Sequence, residues 1–194
     1  MQPDEVIEKF RNTGALLEGH FILSSGLHSA VYLQCAIALR SPVVAAEFGA
    51  AIAEHFRAGQ IETVAAPAIG GLIIGYEVAR HLGADFVWTE RANGKMILRR
   101  GFTLGEDERV LVIEDVITTG GSTRETIAAL REAGARIIGA ASIIDRSGGR
   151  ADLGVPRVSL ATLDVPAVEA VNCEACQRGE AATKPGSRST KQIV

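Results

Sequence analysis

The sequence predicts an α/β fold in which a mainly parallel, twisted sheet is flanked by helices and covered by a small N-terminal lid. Two observations predict it. Apolar runs of strand length alternate with amphipathic helical patterns through the middle of the chain, which is typical of right-handed βαβ units. One of these runs, 110–113, leads into two carboxylates and a loop rich in glycine and hydroxyl groups. Open α/β sheets bind their ligands at such strand ends.

The core elements follow in order from Ser41-Pro42, where a capping serine and a first-turn proline predict a helix running to His55. Strands are expected at 61–67, 84–89, 109–113, 137–144 and 158–163, and further helices at 70–82 and 122–133. Before this core, Asp4 is expected to cap a short helix through Phe10, and short strands are expected around a turn at 24–26. The predicted organisation is therefore an N-terminal helix and hood (1–40), an α/β core (41–170) and a C-terminal tail (171–194).

The composition narrows the class of protein. The chain has 194 residues, of which 47% are hydrophobic and 22% charged, and its net charge of −3 gives no basic field for nucleic acid. The acidic N-terminus has no apolar segment of a signal peptide, and no apolar run approaches the roughly 18 residues that cross a bilayer. We therefore expect a cytoplasmic protein without a nucleic-acid or membrane partner.

The three cysteines carry a separate expectation. Cys35 is expected to be a small buried apolar residue. Cys173 and Cys176 form a Cys-x-x-Cys pair, but the sequence has no second pair and no nearby histidine. A complete zinc site within one chain is therefore not expected, while a site shared across a dimer stays open. Reduced thiols in a turn are the expected state in the cytosol.

The acid pair Glu114-Asp115 and the loop after it predict a ligand site. Gly120-Gly121 let backbone N–H groups approach an anion closely. Ser122 or Thr123 is expected to cap the next helix, whose positive end then faces the same anion. The pattern predicts a phosphate-binding loop beside a diol-binding acid pair, and it matches neither a Walker A loop nor a dinucleotide-binding turn. The alternative is a buried strand followed by an ordinary polar turn.

Two further clusters extend this prediction. Residues 65–71 lie where a strand ends and a helix begins, so their backbone N–H groups could bind a second anion such as pyrophosphate. Four cations within ten residues could neutralise a diphosphate, although a solvated basic hairpin would have the same composition. These cations are Arg91, Lys95, Arg99 and Arg100.

The acid pair and its loop closely resemble the 5-phosphoribosyl-1-diphosphate (PRPP) motif of type I phosphoribosyltransferases. Over nearly its full length the chain resembles the orotate branch of that family in bacteria and archaea. The matching stretches are 19–29, 65–71, 98–102, 114–123, and the tail segments 173–176 and 184–188. This resemblance implies a homodimeric, Mg²⁺-dependent enzyme of UMP biosynthesis. Its reaction transfers the phosphoribosyl group of PRPP to orotate and gives orotidine 5′-monophosphate and pyrophosphate.

The resemblance also implies residue roles. Glu114 and Asp115 would hold the ribose diol, partly through an indirectly bound magnesium ion. The implied PRPP-binding residues are Arg91, Lys95, Glu114, Asp115, Val116, Ile117, Thr118, Thr119, Gly120, Gly121, Ser122 and Thr123. Lys95, Arg91 and Asp115 would be catalytic, the first two on a mobile loop that reaches the neighbouring subunit's site.

Thr118 and Arg146 match the orotate contacts of the family. A guanidinium suits the carboxylate of orotate because it can donate to both oxygens, although an ordinary surface arginine would look the same in the sequence. Many relatives have lysine where Ser24 and Gly70 stand, and a lysine and a histidine where Ala92 and Ile97 stand. We therefore hypothesise that Arg99 and Arg100 supply the missing positive charge.

Two other functions stay open at this point. A purine or uracil phosphoribosyltransferase would share the PRPP loop and differ only in the lid and at Arg146. A PRPP-sensing regulator would keep the fold without catalysis. Regulators of that kind usually add a nucleic-acid-binding module or a basic face, and the sequence shows neither.

Overall fold

The computed structural model describes residues 1–23 and 26–185. The hood contains α1 (Pro3–Asn12), β1 (Leu16–Ile22), β2 (His28–Leu33) and α2 (Cys35–Leu39). The core contains α3 (Pro42–Glu54), β3 (Thr63–Pro67), α4 (Gly71–Leu82), β4 (Asp85–Ala92), β5 (Lys95–Leu98), β6 (Arg109–Ile117), α5 (Gly121–Glu132), β7 (Arg136–Asp145) and β8 (Arg157–Thr162), and a short α6 (Glu174–Gln177) follows. The predictions made for Ser24, Ser25 and the tail beyond Pro185 lie outside the described residues.

The six-stranded sheet has the order β5-β4-β3-β6-β7-β8. All neighbouring strands are parallel except β5, which pairs antiparallel with β4 at one edge. The parallel strands, read across the sheet, therefore have the doubly wound order 2-1-3-4-5. In this order the connections change direction between β3 and β6, and ligands bind in the crevice at the carboxyl ends of such strands.

Alternate side chains of β6 enter two different layers of the core. Leu111 and Ile113 pack with the helices α1, α3 and α4 on one face, and Val110 and Val112 pack with α5 on the other. A strand buried on both faces needs the continuous apolar run that the sequence shows. Within the described ranges, no helix has the length and apolar character needed to cross a membrane.

The hood is an antiparallel pair of strands that the C-terminal segment holds in place. β1 pairs antiparallel with β2, and a bulge between Glu18 and Phe21 interrupts the register of the pair. Residue 28 exchanges two backbone hydrogen bonds with Val168, at 2.7 and 2.9 Å, and Thr183 bonds to both His20 and Ile22. The segment from 168 to 183 therefore runs along both hood strands.

Two predicted helix caps are wrong. The first helix is capped by Gln2, whose backbone N–H donates to the Glu5 carboxylate at 2.8 Å, and Asp4 lies in the first turn. α5 is capped by Gly120 rather than by Ser122 or Thr123. Gly120 has φ +75°, and a Cβ there would lie 2.6 Å from Leu153 Cδ2, so both the backbone conformation and the packing require glycine.

Candidate active site

The acid pair lies on the last part of β6, which runs four residues further than predicted and ends at Ile117. Glu114 is only 8% exposed, and burial together with the neighbouring Asp115 raises the pKa of Glu114 to about 9. Burial also raises the pKa of Asp115. In the part of the chain that the structure describes, no cationic side chain pairs with either carboxyl. A buried and a half-buried carboxyl without a cation among the described residues form a site that favours a ligand with hydroxyl groups or positive charge.

Cys35 is a site residue that the sequence reasoning missed. It is buried, as predicted, but its thiol hydrogen-bonds to Asp115, and its pKa is raised well above the ordinary value by burial and by this carboxylate. Asp115 also accepts the backbone N–H of Val116 at 2.8 Å. Eighty residues separate Cys35 from the acid pair, so no local pattern could have indicated this contact.

The raised pKa of Glu114 leads to a stability prediction for the ligand-free protein. Because the folded state holds the Glu114 proton to about pH 9 while an unfolded glutamate loses it near its ordinary value, stability falls as pH rises through that window. Glu114→Gln removes this loss. We expect it to raise the free energy of unfolding at pH 8 by about 1–3 kcal/mol, or the Tm by roughly 3–10 °C, with little gain at pH 5. Thermal melts of both proteins at pH 5 and pH 8, without PRPP or added divalent cation, test this prediction. An equal gain in Tm at both pH values would contradict it.

The loop after β6 presents the start of α5 to the acid pair. The first bond within the helix runs from the Arg124 N–H to the Gly120 carbonyl, so the N–H groups of residues 121–123 have no acceptor inside the helix. The Arg124 guanidinium donates to the carbonyls of Thr119 and Asp152, both at 2.9 Å, and braces the loop. This geometry suits a phosphate at the positive end of the helix.

The predicted PRPP-binding residues differ in the solvent exposure of their side chains. Thr118, Thr119 and Ser122 are exposed, whereas Thr123 is 1% exposed. The side chains of Val116 and Ile117 pack in the two halves of the core. Any contact that these two residues make with an anion must therefore come from the backbone.

The turn at the end of β3 lies directly against the acid pair. A Cβ built on Gly70 would approach Asp115 Oδ1 to 2.8 Å and both other carboxyl atoms to 3.0 Å. At this position, where the resemblance implies lysine in many family members, a side chain therefore has no room unless the Asp115 carboxyl or the turn shifts. The two predicted anion loops, at the ends of β3 and β6, adjoin each other at the switch point of the sheet.

A cleft of about 540 Å³ brings together Thr118 and Arg146, the two predicted orotate contacts. Hood residues Leu23, Leu27 and Tyr32 line it on one side, and the segments after β6, β7 and β8 line the others. Burial lowers the pKa of the Arg146 guanidinium. Among the described residues no carboxylate pairs with Arg146, so this half-buried cation faces a cleft of ligand size.

Asp145 is a second residue whose role the sequence did not reveal. It is 2% exposed, forms an ion pair with Arg157 at 2.8 Å, and accepts the backbone N–H groups of Ser147 and Gly149. Hydrogen bonds from Ser147 and Arg157 outweigh the opposing effect of burial and lower the pKa of Asp145. The Arg146 N–H donates to the Ile117 carbonyl at 2.7 Å. These bonds fix the turn that carries Arg146.

The basic stretch is a β-hairpin formed by β4 and β5, with its turn at Asn93-Gly94. Arg91 pairs with Glu125 of α5 at 2.7 Å. Lys95 is exposed and, across residues 1–23 and 26–185, forms no ion pair. The structure therefore brings neither Arg91 nor Lys95 into contact with the acid pair of the same chain.

Arg99 and Arg100 both pair with Glu90, at 3.5 and 2.6 Å. The hydrogen bond from Arg100 lowers the pKa of Glu90. One carboxylate thus offsets one of the two guanidinium charges, so the pair retains one positive charge. The hypothesis that they replace the missing family lysines stays a prediction.

Comparison with known proteins identifies the class first. A family model described as the phosphoribosyl transferase domain matches residues 38–161, well over half of the chain. The matched range contains the switch point, both anion loops and Arg146. The fold and the site therefore define a phosphoribosyltransferase of the type that the sequence resembles.

Relatives of nearly equal length identify the branch. The chain is 50% identical over 187 residues to an orotate phosphoribosyltransferase of Thermotoga maritima, which covers 96% of this chain and 98% of that protein. It is 48% identical over 188 residues to an orotate phosphoribosyltransferase of Caldicellulosiruptor bescii. That alignment covers 97% of this chain and 99% of the relative. The chain belongs to the orotate phosphoribosyltransferase family, which confirms the resemblance.

Solved structures agree on the fold. The crystal structure of orotate phosphoribosyltransferase from Aeropyrum pernix superposes with a TM-score of 0.65 and 30% identity, and covers 81% of this chain and 93% of that one. The adenine phosphoribosyltransferase of Rhodothermus marinus superposes with a TM-score of 0.63 and 23% identity. The superposition covers 82% of this chain and 99% of that one. Since enzymes named for different bases share it, the fold alone does not choose the base.

Proposed function

We propose that this protein transfers the phosphoribosyl group of PRPP to N1 of orotate and releases pyrophosphate and orotidine 5′-monophosphate. One observation carries the proposal: the acid pair, which has no cationic partner among residues 1–23 and 26–185, adjoins an anion-binding helix start and a cleft whose guanidinium has no carboxylate partner in the same ranges. The first two features suit a ribose bearing phosphates. The third suits a planar base bearing a carboxylate.

In this mechanism the protein supplies binding and charge balance rather than a covalent intermediate. Glu114 and Asp115 bind the ribose hydroxyls, and the N–H groups of residues 121–123 bind the 5′-phosphate. As the bond from C1′ to the diphosphate weakens, positive charge develops on the ribose. The carboxylate of Asp115, and that of Glu114 once it is ionised, stabilise this charge because both groups are already in place.

The acid pair also fits Mg²⁺, the cofactor that the family resemblance implies. Mg²⁺ prefers carboxylate, hydroxyl and water oxygens, and these two carboxyls lie side by side without a competing cation in the described structure. Glu114 and Asp115 would hold the ion indirectly, through ribose hydroxyls or water. When bound, it would neutralise diphosphate charge and act as a Lewis acid.

The hood closes one side of the orotate cleft. Leu23 and Leu27 provide apolar contact for a pyrimidine ring, and Arg146 and Thr118 provide the polar groups that orient it. This arrangement holds N1 of orotate next to the loop that binds the ribose phosphate. Proximity of this kind accelerates transfer without a catalytic base on the protein.

We further propose a homodimer in which the β4–β5 hairpin completes the partner's site. An apolar groove of about 630 Å³ lies between α4 and β4, and Ile73 and Tyr76 at its border are 47% and 59% exposed. Exposed apolar side chains that are grouped in this way support an interface. The absence of a contact between Lys95 and the acid pair of its own chain supports a role in trans, within the described residues.

The activity is tested by following the loss of orotate absorbance with PRPP and Mg²⁺, in parallel with adenine, hypoxanthine and uracil. We expect turnover with orotate only. Turnover with another base would replace the proposed substrate. Tight PRPP binding without turnover of any base would indicate the regulator instead.

Arg146→Ala provides a test of base recognition. We expect the KM for orotate to rise by roughly 10²-fold, since a charge-assisted bidentate contact is worth about 1.5–3 kcal/mol, while the KM for PRPP stays within a factor of about three. Arg146→Lys keeps the charge but not the two-point geometry, so we expect only partial rescue. Arg57→Ala, which removes an exposed arginine paired with Glu54 outside the cleft, is the control and is expected to leave both KM values unchanged. Equal effects on both KM values would contradict this role.

A further inference from the structure

Four potential metal ligands, two from each of two segments that are far apart in sequence, converge at the hood. His20 and His28 lie on the two hood strands, and Cys173 and Cys176 lie in the C-terminal segment that runs along them. One ligand atom from each lies within 4.8 Å of all the others. From the sequence, a complete zinc site within one chain is not expected, because no histidine is near the Cys-x-x-Cys pair in sequence. The fold brings two histidines to the pair from about 150 residues away.

The distances within this cluster match a tetrahedral site. Cys173 Sγ and Cys176 Sγ lie 3.4 and 3.6 Å from His20 Nε2, and Cys176 Sγ lies 3.3 Å from His28 Nδ1. Zinc bonds of about 2.3 Å to sulfur and 2.0–2.1 Å to nitrogen predict tetrahedron edges of about 3.5–3.6 Å between sulfur and nitrogen. The two ring nitrogens are 2.7 Å apart, so a bound ion would separate the rings by about 0.6 Å.

The surroundings also fit a metal centre. His20 Nδ1 lies 2.9 Å from the Glu180 carbonyl, so its proton belongs on Nδ1 and Nε2 is left to bind a metal. His20, His28 and Cys173 are buried and Cys176 is half-buried. Backbone bonds from Val168 and Thr183 hold the hood strands and the C-terminal segment on either side of the cluster.

We propose that His20, His28, Cys173 and Cys176 bind one structural Zn²⁺ ion. Two imidazoles and two thiolates are a donor set that zinc prefers, and four protein ligands leave no open position for a substrate. The ion joins β1 and β2 to the C-terminal segment. Since Leu23 and Leu27 between these strands line the orotate cleft, the site fixes the part of the hood that covers that cleft.

The metal content of the purified full chain tests the proposal without reference to activity. The protein is prepared without a polyhistidine tag and under reducing conditions, then analysed by mass spectrometry for zinc. We expect about one zinc per chain, and loss of nearly all of it in Cys176→Ser and in His28→Gln. His55→Gln and Cys35→Ala remove a histidine and a cysteine outside the cluster and keep the zinc.

Cobalt substitution gives a second readout on the wild-type protein, which does not depend on whether a variant folds. Co²⁺ in this site is expected to show thiolate charge-transfer absorption and the strong visible bands of tetrahedral coordination. Removal of zinc by a chelator is expected to lower the Tm by roughly 10 °C, reversibly on adding zinc.

Three results would overturn the proposal. The first is less than about a tenth of a zinc per chain after reconstitution with reduced thiols. The second is a Cys173–Cys176 disulfide in protein prepared under the same reducing conditions. The third is unchanged zinc content in both cluster variants. None of these results bears on orotate turnover, so the zinc site and the proposed reaction can fail independently.

Discussion

Replacing Asp115 with asparagine is expected to lower kcat/KM for PRPP by about 10²–10³-fold, the scale for losing one preorganised electrostatic group. Asparagine keeps the size of the side chain and an oxygen that can accept the Val116 N–H. It removes the negative charge that would balance positive charge on the ribose. The loss therefore measures electrostatic stabilisation rather than a change of shape.

Stability is expected to move in the opposite direction from activity. Asp115 is a half-buried carboxylate whose pKa is raised by burial, so a neutral amide removes a cost of keeping charge there. We expect the Tm of ligand-free Asp115→Asn to equal or exceed that of the wild type. A variant with lower activity and a lower Tm would point to misfolding instead.

The matched control for this change is Asp107→Asn at the opposite end of β6. Asp107 is exposed and has φ +57°, a backbone conformation that asparagine accepts well. The control removes one negative charge from the turn before the same strand and leaves the ligand edge of the sheet intact. We expect its kcat/KM to stay within a factor of about two. Asp115→Asn within threefold of the wild type would contradict the proposed role.

The sequence predicted the core of the fold because local patterns determine it. The run 110–113 had to be buried on both faces, and the structure places its side chains in two core layers. Ser41 caps α3 as predicted, and its hydroxyl oxygen accepts the Val44 N–H with the nitrogen and oxygen 3.5 Å apart. Gly120 replaced the expected cap of α5 because packing against Leu153, which no local pattern encodes, favours a residue without a side chain.

The parts of the site that could not be predicted depend on contacts between distant segments. Cys35 reaches Asp115 from α2, and Asp145 fixes the turn of Arg146 through Arg157 of the next strand. The cluster of His20 and Cys173 arises only when the C-terminal segment pairs with the hood. In each case the sequence shows the residue type, but only the tertiary structure shows its partner.

In the proposed function, the base specificity and the PRPP chemistry come from different parts of the chain. The acid pair and the loop of α5 lie on the sheet, which the adenine enzyme of Rhodothermus marinus shares at the level of the fold. The cleft of Arg146 is completed by hood residues Leu23 and Leu27. Changes in the hood or at Arg146 are therefore expected to alter the KM for the base, and changes at Asp115 the rate of transfer.

Lys95→Ala is expected to lower kcat by about 10²-fold or more while leaving the KM for both substrates nearly unchanged. The physical reason is that negative charge develops on the leaving diphosphate only as the bond to C1′ breaks, so a loop cation that meets it acts mainly in the transition state. Lys95 is exposed and, in the described part of the chain, unpaired, so we expect the free energy of unfolding to change by less than about 0.5 kcal/mol.

Steady-state kinetics with both substrates separate this role from simple binding. Lys9→Ala on α1, which removes a surface lysine paired with Glu47, is the control and is expected to leave kcat unchanged. An effect of Lys95→Ala that is confined to KM would mean that the lysine binds the ground state only. Arg99→Ala, measured in the same series, shows whether the neighbouring guanidinium shares the charge.

A heterodimer of Lys95→Ala and Asp115→Asn chains decides whether the hairpin acts in trans. If Lys95 serves the partner's site, the two defects fall on one site and the other site is intact, so the isolated heterodimer recovers about half of the wild-type activity. If Lys95 serves its own site, each site carries one defect and the activity stays at the level of the variants. The two arrangements therefore differ by more than tenfold in one measurement. Among the described residues Lys95 makes no contact with the acid pair of its own chain, which favours the first.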